Sequence, residues 1–219
     1  RTWADLGKYI YSSNQDEIFI HQYISSEYDG ALAKIVIRSE LPWTGKVKIT
    51  VDSSVPPEFT LNLRLPSWCN VEATRISFNG EFFPLSSAPQ QSEITASGYD
   101  PRDGRWLNLK RIWNSGDVIE LSFEMPIQLH HAHSKVRGHQ GKVTVARGPL
   151  VYCLESVDNP NVDIFNVAID KTSLEFVFDA HTLGGIVKIV GRTKSGQPLA
   201  FIPYHLWGNR GESTMTVWV

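Results

Sequence analysis

The sequence predicts an all-β chain of two antiparallel β-sandwich domains in tandem, opened by a short helix. Three observations carry this reading. Apolar and polar residues alternate at period two through segment after segment, as in strands with one buried face. Gly, Pro, Asn and Asp separate those segments at roughly 8 to 12-residue intervals, the spacing of sandwich or barrel turns. No crossover helix interrupts the series, so antiparallel pairing is expected. The 219 residues suit two small domains or one large one, and both stay open; the two-domain reading divides the chain into 1–12, 13–128 and 129–219.

Trp3, Leu6 and Ile10 recur at helical spacing beside the helix formers Ala4 and Lys8, which predicts a helix over the opening residues. From Glu17 the period changes to two, with Ile18, Ile20 and Gln22 on one face and Phe19, His21 and Tyr23 on the other. Strands are expected over 32–38, 47–51, 59–65, 75–78, 106–112 and 118–124. Asp29-Gly30, Asn79-Gly80 and Asn114-Ser115-Gly116-Asp117 supply turn residues, and the last predicts a tight hairpin between Trp106–Ile112 and Val118–Glu124. A second series follows at 142–146, 150–155, 174–178, 186–190, 199–202 and 214–219. No fixed-period repeat or low-complexity tract is present, which disfavours solenoids and propellers.

A net charge of −2 and a pI near 6.4, without blocks of like charge, give no footprint for nucleic acid or an anionic membrane. No run approaches the ~20 apolar residues of a membrane-spanning helix. Cys69 and Cys153 have no Cys-x-x-Cys spacing and read as two buried thiols, with a disulfide left open.

No catalytic residue can be assigned from the pattern. His131 and His133 of Leu129-His130-His131-Ala132-His133 are the metal-ligand candidates, since strand alternation would put both on one face, but no nearby third ligand completes a zinc set. Arg137-Gly138-His139-Gln140-Gly141-Lys142 lacks the spacing and following helix of a phosphate loop. The carboxylates of Tyr99-Asp100-Pro101-Arg102-Asp103-Gly104 read as a surface turn rather than an acid–base pair. No Gly-x-Ser-x-Gly elbow is present. Because aromatic faces stack on sugar rings, Trp43, Trp68, Trp106, Trp113 and Trp207, at strand ends or turns, are candidate substrate-binding residues; core packing is the competing role.

Four phrases in order resemble a known family: Leu63-Arg64-Leu65-Pro66-Ser67-Trp68-Cys69, Trp113-Asn114-Ser115-Gly116-Asp117, Ala146-Arg147-Gly148-Pro149-Leu150-Val151-Tyr152-Cys153-Leu154-Glu155, and Phe201-Ile202-Pro203-Tyr204-His205-Leu206-Trp207-Gly208-Asn209-Arg210-Gly211 with Met215 and Trp218 after it. Together they resemble the C-terminal β-sandwich region of glycoside hydrolase family 127, the β-L-arabinofuranosidase family, over essentially the whole chain.

The resemblance implies that the catalytic (α/α) barrel, with its zinc-bound cysteine nucleophile, is absent here, and that this chain holds no cofactor of its own. Tyr9-Ile10-Tyr11-Ser12 matches the end of the family's last barrel helix, so residues 1–12 would be its remnant and the family's adjacent cysteines would lie just outside this sequence. Cys69 and Cys153 match sandwich motifs and inherit no zinc role. The implied role is a non-catalytic accessory region of a hydrolase acting on plant glycans, with the N-terminal barrel as partner and a homodimer and a plant-derived carbohydrate as further partners. A secreted or periplasmic parent is implied; the residues leave the compartment open. Two other functions stay open: a carbohydrate-binding module using exposed tryptophans, and an immunoglobulin-like interaction module, for which the spacing of Cys69, Trp106 and Cys153 is too wide.

Overall fold

The computed structural model describes residues 2–53, 58–84, 94–100 and 104–219, and the chain divides into two compact units, Arg1–Met125 and Pro126–Val219. The turn Pro101-Arg102-Asp103 lies outside the described residues.

Unit 1 opens with a 3-10 helix, Thr2–Tyr9, where an ordinary helical turn was expected. Gly7 lowers helix propensity, and so short a segment cannot hold an α-helix without a packed face. The strands follow as β1 (Tyr11–Ser13), β2 (Glu17–Ile20), β3 (Ser26–Asp29), β4 (Lys34–Ser39), β5 (Lys46–Asp52), β6 (Glu58–Leu65), β7 (Asn70–Phe78), β8 (Glu81–Pro84), β9 (Ile94–Asp100), β10 (Gly104–Ile112) and β11 (Asp117–Glu124). They form a five-stranded sheet, β1-β2-β6-β10-β9, and a six-stranded sheet, β3-β4-β5-β11-β7-β8. Alternation aims Ile18, Ile20, Leu61, Leu63, Leu107 and Leu109 from the first sheet and Ile35, Ile37, Ile49, Val51, Ile119 and Leu121 from the second into one core.

Three expectations are corrected here. Trp106–Ile112 and Val118–Glu124 do not form a hairpin: β10 pairs with β6 and β9, whereas β11 pairs with β5 and β7. The Asn114–Asp117 turn instead carries the chain between sheets, which lets Leu109 and Leu121 approach the core from opposite sides. Second, β2 and β6 pair in parallel, Glu17 opposite Thr60. Their crossover runs through β3, β4 and β5 of the other sheet, so strands do the work usually given to a helix. Third, Tyr23 does not share the outward face of Phe19 and His21. Strand β2 stops at Ile20, and the Tyr23 ring turns into the core, where its hydroxyl donates to the Arg64 carbonyl at 2.7 Å.

A two-residue hairpin in this unit joins β7 and β8. Asn79 and Gly80 both have positive φ, 47° and 90°, as the favoured two-residue hairpin turn requires.

Unit 2 contains β12 (Ile127–His131), β13 (Val143–Arg147), β14 (Leu150–Glu155), β15 (Ile169–Asp179), β16 (Ile186–Thr193), β17 (Pro198–Pro203) and β18 (Met215–Thr216). Hydrogen bonding runs unbroken through β12-β13-β14-β17-β16-β15, with β18 added beside β14. The two ends of this path, β12 and β15, come together, so a single antiparallel sheet folds over its core. Val145, Tyr152, Leu154, Ile189, Leu199 and Phe201 fill that core.

Candidate functional site

A densely bonded polar site lies in unit 2, where folding brings together two of the phrases singled out in the sequence. The first, 146–155, is the β13–β14 hairpin: Arg147 lies opposite Leu150, and Gly148, at φ 56°, takes the first position of the two-residue loop. Strand β14 ends in Glu155, a carboxylate only 1% exposed. A buried carboxylate must be paired or hydrogen-bonded, or burial would cost several kcal/mol. The second phrase, 201–211, supplies the partners.

Arg210 Nη2 donates to Glu155 Oε2 at 2.5 Å and to Asp158 Oδ2 at 2.5 Å, while Nη1 donates to Asp158 Oδ1 at 2.7 Å. The forked guanidinium thus grips Asp158 with both arms and shares one with Glu155. The other Glu155 oxygen accepts the Gly208 N–H at 2.8 Å. Hydrogen bonding to Asp158 leads the interactions that hold the Arg210 guanidinium more firmly protonated than usual. Asn159 completes the clamp: its side chain donates to the carbonyls of Glu155 and Ala200 and accepts the Ala200 N–H. Farther along, Ser156 and Thr214 exchange bonds, which ties down the far end of the loop.

The clamp presents a short loop. Pro203 ends β17, a 3-10 turn covers Tyr204–Leu206, and the Trp207 N–H closes it by donating to the Tyr204 carbonyl. Tyr204 and Trp207 are 45% and 43% exposed. Two titratable side chains of β14, which pairs with β17, are buried. Burial pushes both the Tyr152 phenol and the Cys153 thiol up to about 12, the Cys153 shift being reinforced by the nearby Glu155 and Asp158 charges. Cys153 therefore stays a thiol at neutral pH and is neither a nucleophile nor a ready metal ligand.

The remaining tryptophans occupy different settings. Trp113 is wholly buried between Phe59 and Phe78, with its indole N–H donating to the Phe59 carbonyl. Trp68 is half-buried against Phe123, and Trp43 is half-buried in the turn after β4. Trp106, on the outer face of the five-stranded sheet, stands edge-on to Phe19 and His21. There His21 Nε2 lies 2.7 Å from Ser12 Oγ, and burial, with the Arg64 charge, lowers the imidazole below its ordinary value. Of the five candidates, Trp207 is the one with an exposed ring.

His131 ends β12 and His133 follows it, both exposed. Among the described residues no three His, Cys, Asp or Glu side chains gather where they could hold a metal. Cys69 and Cys153 are buried, form no disulfide and lie in different units. This donor set does not fit the zinc that the family resemblance implies for the parent. Sequence reasoning missed the Glu155–Arg210–Asp158 clamp; both phrases containing its ends had been marked, but nothing local pairs positions more than 50 residues apart.

Residues 17–125 match the family model described as the beta-L-arabinofuranosidase GH127 middle domain, and residues 127–219 match the glycoside hydrolase family 127 C-terminal domain. The chain is 28% identical to the non-reducing end beta-L-arabinofuranosidase of Bifidobacterium longum subsp. longum, covering 99% of this chain and 35% of that protein. It superposes on Ara127N-Se, a GH127 beta-L-arabinofuranosidase from Geobacillus stearothermophilus T6, with TM-score 0.83 and 33% identity over 100% of this chain and 36% of that one. A second solved structure, the GH127 beta-arabinofuranosidase BT3674, matches with TM-score 0.80 and 26% identity over 98% of this chain and 36% of its own. The chain thus spans about a third of the length of these relatives.

Proposed function

The chain belongs to glycoside hydrolase family 127, as its middle and C-terminal domains, and from that premise we propose that it is the non-catalytic accessory region of a β-L-arabinofuranosidase-like hydrolase. The observation that carries the reading is coverage. The two family models span the two units, and the full-length relatives hold nearly two thirds of their length outside the matched part.

The residues support a scaffolding role. The buried carboxylates Asp117 and Glu155 have their oxygens engaged: Asp117 accepts from Asn79 and the Asn114 N–H, and Glu155 from Arg210 and Gly208. A general acid or nucleophile needs a carboxylate facing a cleft, and groups saturated in this way serve the fold instead. The partner in this reading is the family's helical barrel, which would carry the zinc and the nucleophile. Plant glycans as the parent's substrate class, and a homodimer, extend the same proposal and rest on the family resemblance.

The test is an assay of the purified chain with 4-nitrophenyl β-L-arabinofuranoside, with and without added zinc. The expected result is no release of nitrophenol above the uncatalysed rate. Turnover that purifies with the chain and survives removal of trace hydrolases would overturn the proposal.

A further inference from the structure

An open groove of about 820 Å³ crosses the outer face of the sheet in unit 2, beside the clamp but separate from the Tyr204–Trp207 loop. Ligand sites commonly enclose ~300 to 1,000 Å³. Its floor is apolar: Val190 of β16 lies opposite Ala200 of β17, with Gly191 beside them. Its walls are polar, formed by Asn161 on the loop after the clamp, Glu175 on β15, Arg192 on β16 and Gln197 at the start of β17.

Both walls are built rigidly. On one side, Asn159 is pinned to Glu155 and Ala200, and the Gln197 amide donates to the Asn161 carbonyl at 3.1 Å. On the other, a bulge interrupts the β15–β16 register between Asp170 and Glu175. Ser173 closes that bulge by donating to the Asp170 carbonyl and accepting the Arg192 N–H at 2.8 Å. Glycine at 191 leaves room for the closure: a Cβ there would sit 2.8 Å from Leu174 Cδ2 and 3.2 Å from Ser173 Oγ, so both side chains would have to give way. Bulges commonly re-aim side chains beside binding sites.

Two carboxylates, Asp158 and Glu175, and one guanidinium, Arg192, line the groove, while Arg210 bonds Asp158 and Glu155 together. The excess negative charge disfavours an anionic ligand. The groove offers acceptors, donors and amides around a narrow apolar strip, which suits the hydroxyl rim and C–H face of an uncharged sugar. We propose that this groove binds an uncharged arabinofuranosyl saccharide, with Val190 and Ala200 under the ring and Glu175 and Arg192 taking its hydroxyls. The proposal deepens the family reading above and depends on it for the choice of sugar.

The experiment is a titration of methyl β-L-arabinofuranoside into the 15N-labelled chain, followed by amide shifts. Saturable shifts at millimolar ligand are expected at 161–162, 190–192 and 197–200. The exposed-site variants Glu175→Gln and Asn161→Ala should keep the native spectrum and weaken binding about tenfold each. Val190→Arg, which fills the floor, should abolish it. Shifts confined to Tyr204–Trp207, affinity unchanged by all three variants, or no saturable shift anywhere would overturn the groove. None of these results touches the family reading, which stands or falls on activity in the full-length context.

Discussion

At the scale of the residue, one side chain carries the most consequence. Arg210 neutralises Glu155, which is 1% exposed, and anchors the exposed loop through the same guanidinium. Removing one member of a buried ion pair leaves an uncompensated charge and costs ~3 to 5 kcal/mol. Arg210→Ala should therefore lower the unfolding free energy measured by urea titration by that much, while the double variant Arg210→Met, Glu155→Leu should recover a large part of the loss. A cost below ~1 kcal/mol would make the clamp an ordinary surface pair. Cys153 gives a second check at this scale. With its thiol pushed up to about 12 by burial, it should resist iodoacetamide at pH 8 in the native state and react on unfolding. The clamp's parts were visible in the sequence as two phrases, yet their pairing was not, because it depends on β14 and β17 lying side by side.

At the scale of the element, turns and close approaches decide how strands are joined. Period-two alternation made the strands legible, since burying one face of each sheet requires it. Connections between them were less legible. Asn114-Ser115-Gly116-Asp117 looks like a hairpin turn, and the same chemistry serves an inter-sheet turn; only the placement of Leu109 and Leu121 on opposite walls of the core distinguishes the two. Gly45 shows an approach that no sequence pattern marks. The Phe123 N–H donates to its carbonyl at 2.9 Å, and a Cβ on residue 45 would fall 1.9 Å from the Phe123 oxygen. Gly45→Ala must push β5 from β11 and should destabilise unit 1 by ~2 to 4 kcal/mol in thermal or urea unfolding, whereas Gly138→Ala, in open space, should be near neutral.

The outer face of the five-stranded sheet adds a pH dependence. His21 is held below its ordinary value of 6.5 by burial and by Arg64. The unfolded chain then binds the proton more readily, so this contribution is fully present above 6.5 and is lost as pH falls through the lowered folded value. His21→Gln should flatten that limb of the stability–pH curve, and an unchanged limb would assign it to other groups.

At the scale of the whole molecule, an all-β chain was legible because no helical period competes after the opening residues. The folding of unit 2 as one continuous sheet was not, because strand order follows from long-range pairing that spacing does not encode. The four ordered phrases pointed to the family because each sits at a structurally constrained place: the end of β6, the inter-sheet turn, the β13–β14 hairpin and the clamped loop. Family membership was legible to the same extent. The measurement that tests the central claim most directly is a segment exchange, in which this chain replaces the matching 36% of the Geobacillus enzyme. The account predicts that the chimera folds and releases arabinose within about tenfold of the parent rate, while the enzyme lacking the segment is insoluble or inactive. A folded but inactive chimera, or full activity without any segment, would contradict it.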